Sequence, residues 1–251
     1  MMSLVISIFN QAGGVGKSTL TMNLGYQLYV RGHKVLLIDL DPQSSLTSFM
    51  GIDPEGLEKT PFDAIINEEP LFILHNQHGM DIAPTNINLS VAEIQLVNME
   101  FREVRLKESI EPIRNNYDFI LIDCPPSLGL LSYSSLVAAS HLLIPIETHY
   151  KAFQGTNLLL QTIAKVRKRG NRHLKIAGFV PSRYAGANSQ DQRTLKAISE
   201  QFSPIAPVFD PIPRATAIVD ASEQQIPLAL YDPKHPILKV LDQIAKHLEQ
   251  L

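Results

Sequence analysis

The stretch NQAGGVGKST, residues 10–19, gathers the side chains best suited to chemistry. Gly13, Gly14 and Gly16 let the backbone turn tightly and aim its N–H groups inward, as phosphate oxygens require. Lys17 supplies a point charge, and Ser18 offers a hydroxyl to Mg²⁺. Against the pattern G-x-x-x-x-G-K-[ST], the first glycine should stand at position 11, where the chain has Gln11. The general pattern fails by one residue, and the crowded form GGVGKST fits. The alternative is an ordinary glycine turn followed by a surface lysine. An apolar run before the loop and a helical pattern after it favour the phosphate reading.

Two further segments carry carboxylates that such a loop needs. IDLDPQ holds Asp39 and Asp41, and FILIDCPPS holds Asp123, each at the end of an apolar run. In an open α/β sheet, ligands lie beyond the carboxyl ends of strands, so these carboxylates can converge on bound phosphates. Mg²⁺ is a hard cation that keeps several waters and needs only one or two carboxylates nearby. Asp123 suits that role through a bound water. Asp39 is the candidate to orient an attacking water beside the γ-phosphate. Asp41, just before Pro42, serves equally well as a turn former.

Short apolar runs alternate with helix-length segments along the whole chain. That alternation predicts an α/β fold, a mostly parallel twisted sheet with helices on both faces. Expected strands cover residues 4–9, 34–40, 80–84, 119–123, 141–146 and 175–180, with a weaker one at 205–209. Expected helices cover 17–31, 91–113, 155–169 and 235–251. In the first, Leu20, Leu24 and Leu28 recur at helical spacing and Gly32 marks the stop. No repeat or linker divides the chain, so one domain over 1–251 is expected.

Composition bounds the class. Hydrophobic residues make up 45% and charged residues 19%, values of a soluble globular protein. No apolar run is long enough to span a bilayer, and no secretory signal stands at the N-terminus. The single Cys124 excludes an intramolecular disulfide and a cysteine-rich metal site, which fits a reducing cytoplasm. No histidine pairing marks a metal site either. With a net charge of −3, any nucleic-acid binding must come from a local patch. The run KVRKRGNRHLK offers one through Lys165, Arg167, Lys168, Arg169, Arg172 and Lys175.

NQAGGVGKST, DLDPQSSLT, YDFILIDCPPSLG, PIETHYKAFQG and the C-terminal PIPRATAIVDASEQQIPLALYDPKHP together resemble the ParA/MinD family of deviant Walker-A ATPases. The likeness covers nearly the whole chain and implies a P-loop NTPase fold of the small ParA type. It implies that Gly13, Gly14, Val15 and Gly16 form the loop, that Lys17 and Thr19 contact phosphates, and that Ser18 and Asp123 hold Mg²⁺. Asp39 would support hydrolysis, and Pro213 and Arg214 would flank the adenine. Pro125 and Pro126 would begin the loop that senses the γ-phosphate.

Members of the family sandwich two ATP molecules between two monomers, and hydrolysis separates the pair. The resemblance therefore implies ATP and Mg²⁺, a homodimer, non-specific DNA over the nucleoid of the cytoplasm, and a cargo adaptor that stimulates hydrolysis. Plasmid or chromosome partition is one such duty. Positioning of carboxysomes is another, and Ala12 makes the chain similar to that branch. The family usually carries a lysine at position 12 that reaches the partner's phosphates. Lys151, shortly after the run HLLIPIE and so beyond a carboxyl strand end, is the expected substitute and is counted with Asp39 and Lys17 as catalytic. Arg183 and Arg214 are its rivals. The usual second arginine after I-P-R is Ala217 here, a departure from the DNA-contact pattern.

Three rivals differ in what they require. A nitrogenase-type reductase shares the loop but needs cysteine ligands from each subunit. A small-molecule ligase of the same fold needs a substrate constellation besides the nucleotide residues. Membrane attachment of the MinD kind needs a basic amphipathic tail, whereas the last helical stretch mixes Lys239, Asp242, Lys246 and Glu249 with a wide apolar stripe that suits core docking.

Overall fold

Strands buried on both faces are largely apolar, and the middle of this sheet is built that way apart from Ser7 and the strand-end Asp39 and Asp123. The structure is a computed structural model that describes residues 3–251, the side chains of residues 150–154 and 157 excepted. Its strands are β1 (Leu4–Ile8), β2 (Val35–Asp39), β3 (Leu74–Gln77), β4 (Met80–Ala83), β5 (Phe119–Asp123), β6 (His141–Glu147) and β7 (Lys175–Ser182). They form one sheet in the order β3-β4-β2-β5-β1-β6-β7. All neighbours are parallel except β3, which runs antiparallel to β4 at the edge.

The helices are α1 (Lys17–Val30), α2 (Ser45–Phe49), α3 (Pro61–Ile66), α4 (Leu89–Leu96), α5 (Arg105–Ile110) and α6 (Leu130–Ala138). After them come α7 (Tyr150–Arg169), α8 (Ser189–Phe202), α9 (Thr216–Glu223), α10 (Leu228–Tyr231) and α11 (Ile237–Leu248). Alternation along the strands divides the core. Val5, Leu36, Ile38, Ile120 and Ile122 pack with Leu89, Leu131, Leu159 and Phe202 on one face. Ile6, Ile8, Leu37 and Leu121 pack with Leu20, Leu24, Leu28, Leu241 and Leu248 on the other. Helices on both faces of a largely parallel sheet agree with the expected fold class. The C-terminal helix docks in the core, as its stripe implies: Ile237, Leu241, Ile244, Ala245 and Leu248 are all buried.

Four expectations about elements need correction. The weak strand at 205–209 is a single bridge between Val208 and Phe179, because Ile205 and Ala206 spend their N–H groups on the end of α8. The long helix at 91–113 is broken between α4 and α5. Ile94, Val97 and Phe101 are 72%, 55% and 75% exposed, so their helical spacing marks no core face. Phe101 adopts φ 53°, which no helix continues through, and Pro112 turns the next stretch into a 3₁₀ segment, Glu111–Asn116. The helix expected from residue 155 starts at Tyr150, and the one expected from 235 starts at Ile237, after Pro236. The edge strand β3, sequence LHNQ, is too polar and too short to signal itself.

Candidate active site

The phosphate loop leaves β1 in the middle of the sheet, flanked by β5 and β6. Asn10 fixes its base, donating from Nδ2 to Pro145 O at 2.7 Å and accepting the Ala12 N–H at 2.9 Å. Gly14 and Gly16 take φ 74° and 88°, values that a side chain would strain. Gly16 caps α1 without a side-chain hydrogen bond, and the first turn of that helix holds no acidic residue. Its unpaired N–H groups and positive dipole end therefore face the loop, an arrangement that attracts an anion. Lys17, only 6% exposed, folds back so that Nζ donates to Ala12 O at 3.0 Å. Burial lowers its pKa, while Asp123, Cys124 and Asp41 pull the other way and favour the cation.

Asp39 and Asp123 end adjacent strands in direct register, and both are fully buried. Asp39 Oδ2 accepts from the Thr47 N–H at 2.9 Å and the Thr47 hydroxyl at 2.7 Å. Its Oδ1 accepts from the Asp41 N–H at 3.1 Å. Burial nevertheless pushes its pKa up to about 7, with those bonds opposing the rise. Asp123 differs: among the described residues neither carboxylate oxygen has a hydrogen-bond partner. Burial and the neighbouring Asp39 raise its pKa well above the usual range, against the pull of Ser18 and Lys17. Ser18 lies near enough to favour the charged form without completing a bond of good geometry.

An unpaired buried carboxylate is costly and calls for a cation. Asp123 and the Ser18 hydroxyl form a hard oxygen set of the kind that Mg²⁺ takes, so these residues fit the ion. Asp41, 8% exposed, accepts the Gln43 N–H at 3.0 Å in an Asx turn, the turn-forming role open to it in the sequence. Cys124 is buried, shares a contact of 3.0 Å with the Ser135 hydroxyl, and has its thiol pushed up to about 12, which makes it inert.

From the loop a cleft of about 460 Å³ opens toward the C-terminal segments. Gly14, Gly16, Thr19, Arg183, Pro213 and Arg214 line it, so the segment PIPRA faces the same space as the phosphate loop. Backbone bonds from Tyr184 N to Ile212 O at 3.1 Å and from Arg214 N to Tyr184 O at 3.0 Å hold that segment beside β7. Arg183 Nε and Arg214 Nη2 both face Glu147 Oε1, at 3.4 and 3.5 Å. Two guanidinium groups share one carboxylate, leaving the rim net positive, which suits an anionic ligand.

Gly13, Gly14, Val15, Gly16, Lys17, Ser18, Thr19, Asp39, Asp123, Pro213 and Arg214 thus meet at one edge of the sheet. Lys151 is the second residue of α7, which starts from the carboxyl end of β6, so its backbone belongs to the same edge. Its side chain lies outside the described residues. Four contributors carry no signal of their own in the sequence: Asn10, Thr47, Glu147 and Ser182. Strand order brings Asn10 to Pro145 and Ser182 to Val15, β7 carries Arg183 to Glu147, and α2 folds Thr47 back onto Asp39.

A family model described as an AAA domain matches residues 3–176. The sporulation initiation inhibitor protein Soj of Bacillus subtilis is 36% identical over 251 residues, covering 98% of each chain. Among solved structures, an ATP complex of a Cyanothece McdA variant is similar, with 27% identity, a TM-score of 0.88, and coverage of 99% of this chain and 97% of that one. A structure named cobyrinic acid a,c-diamide synthase from Mycobacterium smegmatis, with ADP and magnesium bound, is 29% identical at a TM-score of 0.87. It covers 99% of this chain and 95% of its own.

Proposed function

The chain belongs to the ParA/MinD family and is an ATPase that works with ATP and Mg²⁺, and from that premise we propose that it positions or partitions intracellular cargo through an ATP-dependent homodimer on DNA. The observation that carries the reading is Asp123, a buried carboxylate without a hydrogen-bond partner among the described residues, beside Ser18 in the first turn of α1 and the buried Lys17. That arrangement holds a metal-bound nucleotide far better than it holds itself together empty.

In this reading the loop N–H groups and Lys17 bind the phosphates, Ser18 and Asp123 hold Mg²⁺, and Pro213 and Arg214 flank the base. Bound Mg²⁺ would neutralise charge on the β- and γ-phosphates. Asp39 positions the attacking water. A carboxylate has about four acceptor sites, and three are taken by Thr47 and the Asp41 N–H, leaving one. Pro125 and Pro126, directly after Asp123, start the segment that would report the γ-phosphate to the dimer face. Lys151 would deliver the charge missing at Ala12, reaching from a different anchor to the same phosphates.

DNA would bind at the opposite end of α7. Lys165, Lys168, Arg169, Arg172 and Lys175 are exposed there, whereas Arg167 spends its Nε on Leu174 O at 2.7 Å. One such patch is modest, and a dimer pools two. Retention of the protein on non-specific duplex DNA tests the reading. It should occur with ATP and not with ADP, and it should fall steeply as salt rises. Equal retention in both nucleotide states would overturn it. The cargo would be carboxysomes, plasmids or a chromosome, brought by an adaptor that accelerates hydrolysis.

A second reading follows from the structure named as a synthase, whose likeness is as extensive as that of McdA. A ligase consumes ATP in proportion to an acceptor. Turnover on ATP alone, accelerated by DNA or a protein, separates the two.

A further inference from the structure

Two carbonyl groups of the phosphate loop are held from outside by the residues that end and follow β7. Ser182 Oγ donates to Val15 O at 2.8 Å, and Arg183 Nη1 donates to Gly14 O at 2.9 Å. Successive peptides of an anion-binding loop can present their N–H groups inward only while their carbonyls turn away. Each outward carbonyl then needs a donor of its own. Ser182 is 6% exposed and so committed to this contact, whereas Arg183 keeps half of its side chain in solvent.

Arg183 does more than close the loop. It holds φ 54°, a left-handed conformation that is costly for an arginine and that clusters where structure is constrained by function. Its own carbonyl accepts from Arg214 Nε at 2.9 Å, and its Nε faces Glu147. One residue therefore touches the phosphate loop, the end of β6 and the base-side segment. A guanidinium fork can serve two acceptors at once in fixed geometry, which an ammonium cannot do.

We propose that Ser182 and Arg183 are positioning residues, a clasp that holds the Gly14 and Val15 carbonyls outward and presets the loop N–H groups for the phosphates of the nucleotide. The clasp rests on the reading of this loop as the nucleotide site. Through Arg183 it also ties the geometry of the loop to the segment that flanks the base.

The test is competition of inorganic tripolyphosphate and of ADP against a fluorescent ADP analogue, in Mg²⁺. Arg183→Gly is the variant of choice because glycine accepts φ 54° without strain, so the apo fold should keep its unfolding midpoint. Arg183→Gly and Ser182→Ala should each weaken tripolyphosphate and ADP by the same factor, about tenfold for a lost bond of this kind. Ser182→Thr, which keeps the hydroxyl, should restore both. If Arg183→Gly binds tripolyphosphate like the wild type, the clasp is wrong, whether or not ADP binding falls. Should Arg183→Gly unfold early, the Ser182 pair of variants decides alone. Lys17→Ala is the control: wild-type affinity there would overturn the nucleotide reading of the loop, a separate failure from that of the clasp.

Discussion

At the scale of single residues, the site is a balance of buried charge. Among the described residues, Lys17 is the cation whose charge acts on Asp123 and Asp41, and neither Asp123 oxygen has a hydrogen-bond partner there. Burial raises both strand-end carboxyls, and the charge of Asp39 adds to the rise at Asp123. Replacing Asp123 with asparagine keeps the shape and removes the charge. The apo protein should then gain about 1–2 kcal/mol of stability, read by urea unfolding. Mg²⁺-dependent ATP hydrolysis should fall by a factor of about one hundred or more. An Asp123→Asn protein that is less stable and fully active would remove Asp123 from the metal site.

Most of this chemistry was legible in the sequence, because glycine, lysine and strand-end aspartate carry it by type and spacing. Asp39, Asp123 and Lys17 could all be named before any coordinates. Thr47 could not. Its hydroxyl fixes Asp39 only because α2 folds back over the end of β2, and the five residues of that helix leave no periodic trace. Ser182 was equally silent, since its partner Val15 is distant in sequence and near only through the strand order.

At the scale of elements, the two ends of the chain are joined beneath the sheet. Arg31, just past α1, pairs with Asp242 at 2.9 Å and Glu249 at 2.7 Å, and His33 adds a second contact to Glu249 at 2.8 Å. These bonds hold the end of α11 against α1, and Arg31 with His33 draws the Glu249 carboxyl down to about 2. A depressed carboxyl stabilises the fold above its unfolded pKa and loses that contribution as pH falls through the folded value. The loss should therefore run from about pH 4.5 down to about pH 2. Solvent screens these partly exposed groups, so the contribution is about 1 kcal/mol. Glu249→Gln should cost that amount at pH 7 in thermal or urea unfolding and nothing near pH 2. An equal cost at both pH values would show that packing, and not charge, is what the variant disturbs.

Elements differ in how well the sequence announces them. β1, β2, β5 and β6 are buried on both faces and show as unbroken apolar runs, which is why their limits fall within a residue or so of expectation. The segment after β4 misled for the opposite reason. Ile94, Val97 and Phe101 are exposed while Leu89, Ala92 and Leu96 of α4 face the core, so apolar residues on two sides of the segment hid its break. Helix α8 was missed because only Thr194, Ile198, Phe202 and the acidic Asp191 are buried along it, a stripe diluted by Asp191 and Thr194.

At the scale of the molecule, α7 joins the two functions proposed for it. Its 20 residues span about 30 Å, from the nucleotide edge at Tyr150 to the basic turn at Arg167, Lys168 and Arg169. Lys151 stands at one end and the basic patch proposed for DNA at the other, so the proposal couples nucleotide state and DNA affinity through one helix. Lys151→Ala should abolish ATP-dependent dimerisation and DNA retention together while the monomer stays folded. Lysine restored at position 12 should recover part of the loss. If Lys151→Ala dimerises and hydrolyses ATP normally, Ala12 marks a dimer that needs no such charge.

The proposed cycle rests on a dimer that ATP would make and hydrolysis would break, and the proposal gives the breaking step to Asp39. Losing its carboxylate should leave nucleotide binding intact and slow hydrolysis, because the charge that orients the water is gone while Lys17 and the loop remain. Sedimentation velocity of Asp39→Ala with Mg²⁺ and either ATP or ADP tests this directly. A stable dimer in ATP and a monomer in ADP is the expected result. A monomer in both nucleotides would contradict the account.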